Sequence, residues 1–169
     1  MRVTFKITRR LLGIVRDNLN RPHAFAAERV GFLSCRMAAL KPEGCLVLAH
    51  RFHPVADEDY VRDFSVGAMM GAAAIRKALQ FALSNEVGMF HVHAHEHTGL
   101  PRFSGVDLRE TAKFVPDFWH VRPHAAHGAI VLSLDSIAGL CWYPLISAPI
   151  SISRFSIVGS PMWFSLEFQ

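Results

Sequence analysis

The sequence has few cysteines, and none form a pair at redox or metal-binding spacing. Its three cysteines, Cys35, Cys45 and Cys141, stand far apart in a chain of 169 residues. An odd number of isolated cysteines without a framework argues against disulfide bonds and for reduced thiols. We therefore expect a cytoplasmic protein without disulfide bonds.

Long apolar runs and blocks of like charge are also lacking. Hydrophobic residues make up 51% of the chain, yet no run approaches the roughly 18 to 20 apolar residues that span a bilayer. The apolar run LLGIV near the N-terminus is too short for a signal peptide, so we expect mature protein without a membrane partner. The net charge of +4 is dispersed. Because no basic stripe with interleaved aromatic residues is visible, we expect no nucleic-acid partner.

Stretches rich in β-branched and apolar residues predict the strands of this protein. Two of them, AAERVGFLSCRMA and CLVLAHRFHPV, flank the turn LKPEG and predict a hairpin. The remaining predicted strands are VTFKIT, EVGMFHVH, HGAIVLSLD, LCWYPL and ISISRFSIV. The C-terminal stretch SPMWFSLEF is expected to pack in the core, with edge-strand pairing or docking through Trp163 as alternatives.

Three segments between these strands predict helices. Thr8 would cap RRLLGIVRDNL, Ser65 would cap SVGAMMGAAAIRKALQFAL, and Ser104 would cap a helix that opens at SGVDLRETAKFV. Gly67 and Gly71 would let the second helix approach a sheet closely. The interleaving of strands and helices predicts an α/β or α+β fold, with a single mixed β-sheet flanked by helices, in one domain over residues 1–169.

The stretch FHVHAHEHTGLPRFSGVD carries the strongest chemical signal. It places histidines at alternate positions: His91, His93, His95 and His97. On a strand, residues two apart face the same side about 6.6 Å apart, which suits two ligands of one metal ion. Asp107, one turn into the helix that Ser104 caps, can return towards the strand end as a third ligand. Two histidines and a carboxylate leave the open coordination position of a catalytic zinc.

HxH or SxxD alone is a weak signal. The order of features here, however, resembles the signature of the JAB/JAMM (MPN) metallopeptidase family: a strand, then HxH, a Gly/Pro loop and SxxD. The stretch ERVGFL at Glu28 resembles the upstream Glu-x-x-Gly-x-Leu strand of that family, and the resemblance covers roughly residues 3–145. It implies a JAB/MPN, cytidine-deaminase-like fold with Zn²⁺ as cofactor. It also implies that Glu28 is the catalytic acid/base, Ser104 the oxyanion donor and Asp107 a zinc ligand.

The resemblance leaves two choices for the histidine ligands. The family pattern VG-x-x-H-x-H matches VGMFHVH and selects His91 and His93, but the loop to Ser104 is then three residues longer than the usual seven. Choosing His93 and His95 leaves one extra residue and breaks the VG register. The Pro that commonly follows the second histidine is absent either way. We predict His91 and His93, with His95 as the alternative ligand.

The implied reaction is hydrolysis of an amide or isopeptide bond. Zinc lowers the pKa of bound water from 15.7 to about 7, Glu28 would take that proton and return it to the leaving amine, and Ser104 would donate to the oxyanion. The sequence stretch HTGLPRFSGVDLRETAKFVPDFW further resembles bacterial JAB deubiquitinase-like peptidases of antiphage operons. That resemblance implies a ubiquitin-like protein and its conjugates as substrates, and E1-like and E2-like proteins as partners. A metal-free MPN scaffold and a small-molecule metallohydrolase are the alternatives.

Overall fold

The first strand runs directly into the first helix, as the sequence predicts. In the computed structural model, which describes residues 1–40, 44–144, 146 and 148–159, strand β1 is Arg2–Thr8 and helix α1 is Arg9–Leu19. The Thr8 side chain accepts a hydrogen bond from the Leu11 N–H at 3.1 Å, which confirms the predicted cap. The buried residues of α1 recur every four positions, so one face of the helix packs on the sheet.

The strands of the described residues form one eight-stranded mixed sheet in the order β7-β6-β5-β4-β2-β3-β1-β8. The pairs β1/β3, β1/β8 and β4/β5 are parallel, and the other neighbours are antiparallel. The predicted mixed sheet and the predicted hairpin are thereby confirmed. The strands that follow β1 are β2 (Val30–Leu40), β3 (Gly44–Pro54), β4 (Gly88–Ala94), β5 (His127–Leu132), β6 (Ile137–Trp142), β7 (Ile150–Ser151) and β8 (Arg154–Val158).

The sheet curls, so that its two ends approach each other through the segment between β7 and β8. The Ile152 N–H donates to the Gly139 carbonyl at 2.9 Å, and the Ser153 N–H donates to the Val3 carbonyl at 2.9 Å. Inside the curl, the ring of Phe5 packs on those of Phe90 and Phe155, at centroid distances of 5.4 and 5.7 Å. This enclosed face forms the first of two apolar cores.

The opposite face of the sheet packs against two further helices, α2 (Ala72–Asn85) and α3 (Gly105–Val121). Phe90 and Val92 of β4 enter the first core, whereas Met89 enters this second core. Because side chains alternate along a strand, the odd-numbered positions of β4 face the helices. The alternation therefore directs the histidines of β4 towards α2 and α3.

Helix α2 begins later than the sequence predicts. Its first residue is Ala72, and its N-cap is Gly71 with no side-chain hydrogen bond, so the prediction that Ser65 caps it is wrong. Ser65 instead donates through both its N–H and its hydroxyl to the Asp63 carboxylate, at 2.9 and 2.6 Å. Two glycines within the preceding residues weaken a helix there, since each costs about 1 kcal/mol relative to alanine.

Helix α3 extends further than the sequence predicts. Ser104 caps it as expected, but the helix continues through Pro116 to Val121. Buried residues at Thr111, Phe114, Val115 and Phe118 maintain the helical spacing across the proline. This burial against the sheet offsets the cost of an internal proline, which is about 3 kcal/mol.

Two sequence-based predictions lie outside the described residues: the hairpin turn at 41–43 and the C-terminal stretch SPMWFSLEF. The three cysteines are buried as free thiols. None of the helices in the described part of the chain has the length and apolar character that crossing a bilayer requires.

Candidate metal centre

The end of β4, the start of α3 and the residues just before β2 meet at one pocket on the helix-covered face of the sheet. The pocket has a volume of about 330 Å³. It is lined by the residues predicted for the site together with the alternative ligand: Glu28, His91, His93, His95, Ser104 and Asp107. Stretches far apart in the sequence therefore converge on one place in the fold.

His93 lies at the centre of this pocket. Its side chain is 2% exposed, and its Nε2 atom lies 3.5 Å from Oδ2 of Asp107. Neither ring nitrogen has a hydrogen-bond partner among the described residues. Leaving a buried polar atom unsatisfied costs about 1 to 3 kcal/mol. A bound cation would satisfy one of these nitrogens, so the environment of His93 fits a metal ligand.

His95 and Glu28 group with His93 as possible metal ligands. Ligand atoms of Glu28, His93 and His95 all lie within 4.8 Å of one another, and no other group of three metal-ligating residues in the described part of the chain does so. The His95 N–H donates to the Leu132 carbonyl at 2.8 Å, which continues the β4/β5 pairing beyond Ala94. His95 therefore keeps the strand alternation and shares the face of His93.

The register between β2 and β4 explains this grouping. Val30 stands opposite His93 and Phe32 stands opposite His91. Continuing the same antiparallel register by two residues brings Glu28 opposite His95. The pairing of two strands thus brings Glu28 to the histidines at the end of β4 and leaves His91 facing an aromatic side chain.

His91 lies between aromatic rings. Its ring centroid is 5.7 Å from that of Phe32 and 5.4 Å from that of Phe114, and its Nε2 atom has no partner among the described residues. Burial, reinforced by the neighbouring His93, lowers the pKa of His91 to about 3, so the ring is neutral at pH 7. The assignment of His91 and His93 as the ligand pair stays a prediction, and the distances around His93 favour the alternative with His95.

Ser104 and Asp107 form a reciprocal cap at the start of α3. The Ser104 hydroxyl oxygen accepts from the Asp107 N–H at 3.1 Å, and Oδ2 of Asp107 accepts from the Ser104 N–H at 2.6 Å. Burial raises the pKa of Asp107, but the contacts with His93 and Ser104 outweigh it and hold this pKa well below its usual range. Among the described residues the Ser104 hydroxyl acts only as an acceptor, so its proton can be donated to a bound ligand.

Backbone contacts and a neighbouring ion pair fix the position of Glu28. Its N–H donates to the Gly67 carbonyl at 3.0 Å. A Cβ atom at Gly67 would lie 2.7 Å from the carboxyl carbon of Glu28, so only glycine leaves the carboxylate where it is. The next residue, Arg29, is buried and donates to both carboxylate oxygens of Asp57, at 2.6 and 3.1 Å.

The role of the segment 66–70 is not apparent from the sequence. Its residues line the pocket together with the histidines, whereas the sequence pattern predicts that they belong to α2. The expected close approach at Gly67 exists, but it is to Glu28 and not between a helix and the sheet. The sequence feature that could have indicated an irregular segment is the pair Gly67 and Gly71, which flank AMM.

The donors of this centre suit a divalent transition metal. Imidazole nitrogens and carboxylate oxygens are ligands that zinc and its neighbours share, so the donor set selects a class of ion and not one ion. The unsatisfied nitrogens of His93 and the free proton of Ser104 further fit a centre that binds a metal and a polar substrate.

Comparison with known proteins identifies no family. No family model matches this chain, and no curated protein matches it. One similar solved structure is the STIL N-terminal domain of Trichoplax adhaerens, with a TM-score of 0.40 and 12% sequence identity over 82% of this chain. The match spans 40% of that structure's chain. A likeness this weak supports no conclusion about fold family or function.

Proposed function

We propose that this protein is a zinc-dependent peptidase or isopeptidase of the JAB/JAMM (MPN) type, with the corresponding cytidine-deaminase-like fold. The observation that carries the proposal is the convergence of Glu28, His93, Ser104 and Asp107 on one pocket. These residues come from three separated stretches, in the order that the JAB/JAMM signature requires.

His93 and Asp107 would hold the ion together with a second histidine, and His95 is the histidine that groups with His93 and Glu28 within 4.8 Å. When bound, zinc supplies Lewis-acid polarisation of the amide carbonyl and makes hydroxide accessible near neutral pH. Asp107 stays ionised because its pKa is held low, so it provides a negative charge to the cation throughout the working pH range.

Glu28 and Ser104 would carry the proton transfer and the charge stabilisation. The Glu28 carboxylate would accept a proton from the attacking water and pass it to the nitrogen of the leaving amine. The Ser104 hydroxyl would donate a hydrogen bond to the carbonyl oxygen as negative charge develops there, a contribution of roughly 2 to 4 kcal/mol. The absence of a side chain at Gly67 leaves room for the Glu28 carboxylate in the pocket.

The proposed substrate is the extended C-terminal tail of a ubiquitin-like protein joined to a target or to a short extension. Such a tail can bind by adding a strand to a sheet edge, so that backbone hydrogen bonds position the scissile bond. The net charge of +4 suits an acidic partner. Within this proposal, the protein belongs to a cytoplasmic bacterial antiphage conjugation system with E1-like and E2-like partners.

A small-molecule metallohydrolase is a second candidate, because a pocket of about 330 Å³ falls within the range of small-ligand sites. The metal-free scaffold is less well supported. A scaffold has no use for buried histidine nitrogens without hydrogen-bond partners, yet His91 and His93 both have them.

The test is the zinc content of the purified protein, measured by plasma emission, together with cleavage of a ubiquitin–reporter fusion and of free dipeptides. The variants are Glu28→Gln and Asp107→Ala, and Glu58→Gln is the control, because Glu58 is exposed and does not line the pocket. We expect about one zinc per chain in wild type and Glu28→Gln, a marked loss in Asp107→Ala, and fusion cleavage by wild type and the control.

Cleavage of dipeptides but not of the fusion would favour the small-molecule enzyme. If instead the wild-type protein is purified from zinc-supplemented cells without zinc and cleaves neither substrate, the metal-free scaffold is the remaining hypothesis.

A further inference from the structure

The pocket at the metal centre is lined by both polar and apolar side chains. The polar ones are the histidines and carboxylates described above. The apolar ones, here called the apolar wall, are Val66, Met69, Met70, Ile75 and Phe114. Both sets line one cavity, so a ligand held by the polar side chains also borders the apolar wall.

Backbone hydrogen bonds hold the apolar wall in place. The Val61 N–H donates to the Met69 carbonyl at 2.9 Å, and the Glu28 N–H donates to the Gly67 carbonyl at 3.0 Å. Phe114 is buried on α3 and packs on Phe32 at a centroid distance of 6.2 Å. Because the backbone of the apolar wall and the ring of Phe114 are both held in place, the wall exists before a substrate binds.

The cavity is larger than the metal chemistry alone needs. Its volume of about 330 Å³ corresponds to roughly ten waters at their liquid share of about 30 Å³ each. One ion and one water would take a small part of this space. The remainder borders apolar side chains, where water gains few hydrogen bonds and an apolar group is favoured.

Resting on the proposed peptidase function, we propose that the apolar wall binds the side chain of a Leu, Met or Phe residue that flanks the cleaved bond. A substrate with glycine on both sides of the scissile bond would leave the apolar wall in contact with water and would gain no binding free energy from it. Acidic side chains at the same position are disfavoured, because Glu28 and Glu110 also line the pocket. The preferred substrates are therefore chains with one apolar residue beside the scissile bond.

Internally quenched eight-residue peptides test this preference. The central bond has Gly on one side and Gly, Leu, Met, Phe or Asp on the other, in both orientations. With zinc-loaded wild type, we expect the best apolar peptide to exceed the Gly-Gly peptide in kcat/KM by roughly 10- to 100-fold, the range in which hydrophobic pockets discriminate. The Asp peptide is expected to be the poorest.

Variants of the wall link the preference to this pocket. Ala68→Leu adds bulk to the pocket lining and should bring the kcat/KM values of the Leu and Gly peptides within about threefold of each other. Ile75→Ala removes bulk and should shift the preference from Leu towards Phe. Leu83→Ala is the matched control, because Leu83 lies on the same helix, is 56% exposed and does not line the pocket. Thermal unfolding of each variant checks that it folds.

A binding measurement separates this inference from the peptidase proposal. The zinc-loaded Glu28→Gln variant is titrated with the same peptides, labelled for fluorescence anisotropy, and we expect the apolar peptides to bind at least tenfold more tightly than Gly-Gly. Hydrolysis by wild type at equal rates for Gly and Leu peptides, or equal binding of both, would overturn the apolar pocket and leave the peptidase intact. Tighter apolar binding with no hydrolysis by wild type would support the pocket and overturn the peptidase reaction.

Discussion

Oδ2 of Asp107 lies 3.5 Å from Nε2 of His93, although the two residues belong to different elements of the fold. The same oxygen accepts the Ser104 N–H at 2.6 Å. One carboxylate thus caps a helix and faces a buried histidine, so the start of α3 is tied to the end of β4.

We predict that the two roles of this cap can be separated by mutation. Asp107→Asn keeps an acceptor for the Ser104 N–H but loses the charge, and should lose most bound zinc with a small change in stability. Ser104→Ala should retain zinc, lower the free energy of unfolding by about 1 kcal/mol through loss of the cap, and reduce activity by roughly 100-fold or more. Zinc content, urea unfolding and kcat are the measurements. If Asp107→Asn retained full zinc, Asp107 would not be a ligand.

The second prediction concerns which histidines bind the metal. His93→Ala and His95→Ala should each lower the zinc affinity by at least tenfold, whereas His91→Phe should retain zinc because His91 faces the ring of Phe32. His97→Ala is the control, since His97 is exposed and its Nδ1–H donates to the Thr98 carbonyl. Competition with a chromophoric chelator gives the affinities. Loss of zinc in His91→Phe and His93→Ala, with retention in His95→Ala, would favour the pair predicted from the sequence.

The third prediction concerns Gly67. An alanine there would bring a Cβ atom within 2.7 to 3.0 Å of the three carboxyl atoms of Glu28. The carboxylate is the free end of a flexible side chain, so it can move aside and the fold should lose little stability. We expect Gly67→Ala to reduce kcat by at least tenfold with an unchanged unfolding midpoint and zinc content. Gly13→Ala, where no atom lies within 4 Å, is the control. Full activity in Gly67→Ala would mean that the position of Glu28 does not limit the reaction.

The fourth prediction concerns pH and the buried His127. Its Nδ1 accepts from the Met89 N–H and its Nε2–H donates to the Arg122 carbonyl, both at 3.1 Å, so the ring must be neutral. Burial lowers the pKa of His127 from 6.5 to about 4. Its stabilising contribution is therefore complete above pH 6.5 and is lost as the pH falls from 6.5 to 4. The full difference corresponds to roughly 3 kcal/mol.

Urea unfolding at several pH values tests the role of His127. Wild type should lose stability between pH 6.5 and 4, with a share from His53, whose pKa is also lowered to about 4 by burial. His127→Gln should be less stable than wild type at pH 7.5 and should lose less free energy of unfolding as the pH falls. The variant His124→Gln, at an exposed position, should show the same pH dependence of stability as wild type. Parallel curves for His127→Gln and wild type would contradict a neutral His127 as the origin of the slope.

Local patterns in the sequence were enough to predict much of this protein. Four features follow from residues within a few positions of one another. They are the cap of α1 by Thr8, the β2/β3 hairpin, the strand that carries His91 and His93, and the cap of α3 by Ser104. Capping and strand alternation act over that range, so they are readable from one chain. The irregular segment around Gly67 was not predicted, because its apolar residues also fit a helix.

Tertiary structure alone decided which of these residues meet. The distance between Glu28 and His93 depends on the register of β2 against β4, and the pairing of Val30 with His93, 63 residues apart, leaves no local signal. A shift of two residues along β4 would bring His93 and not His95 opposite Glu28, with the same faces buried and nearly the same sequence pattern. The sequence therefore determined which side-chain types stand at the end of β4, while the packing of the sheet decided which histidine faces Glu28 and how large a cavity opens beside them.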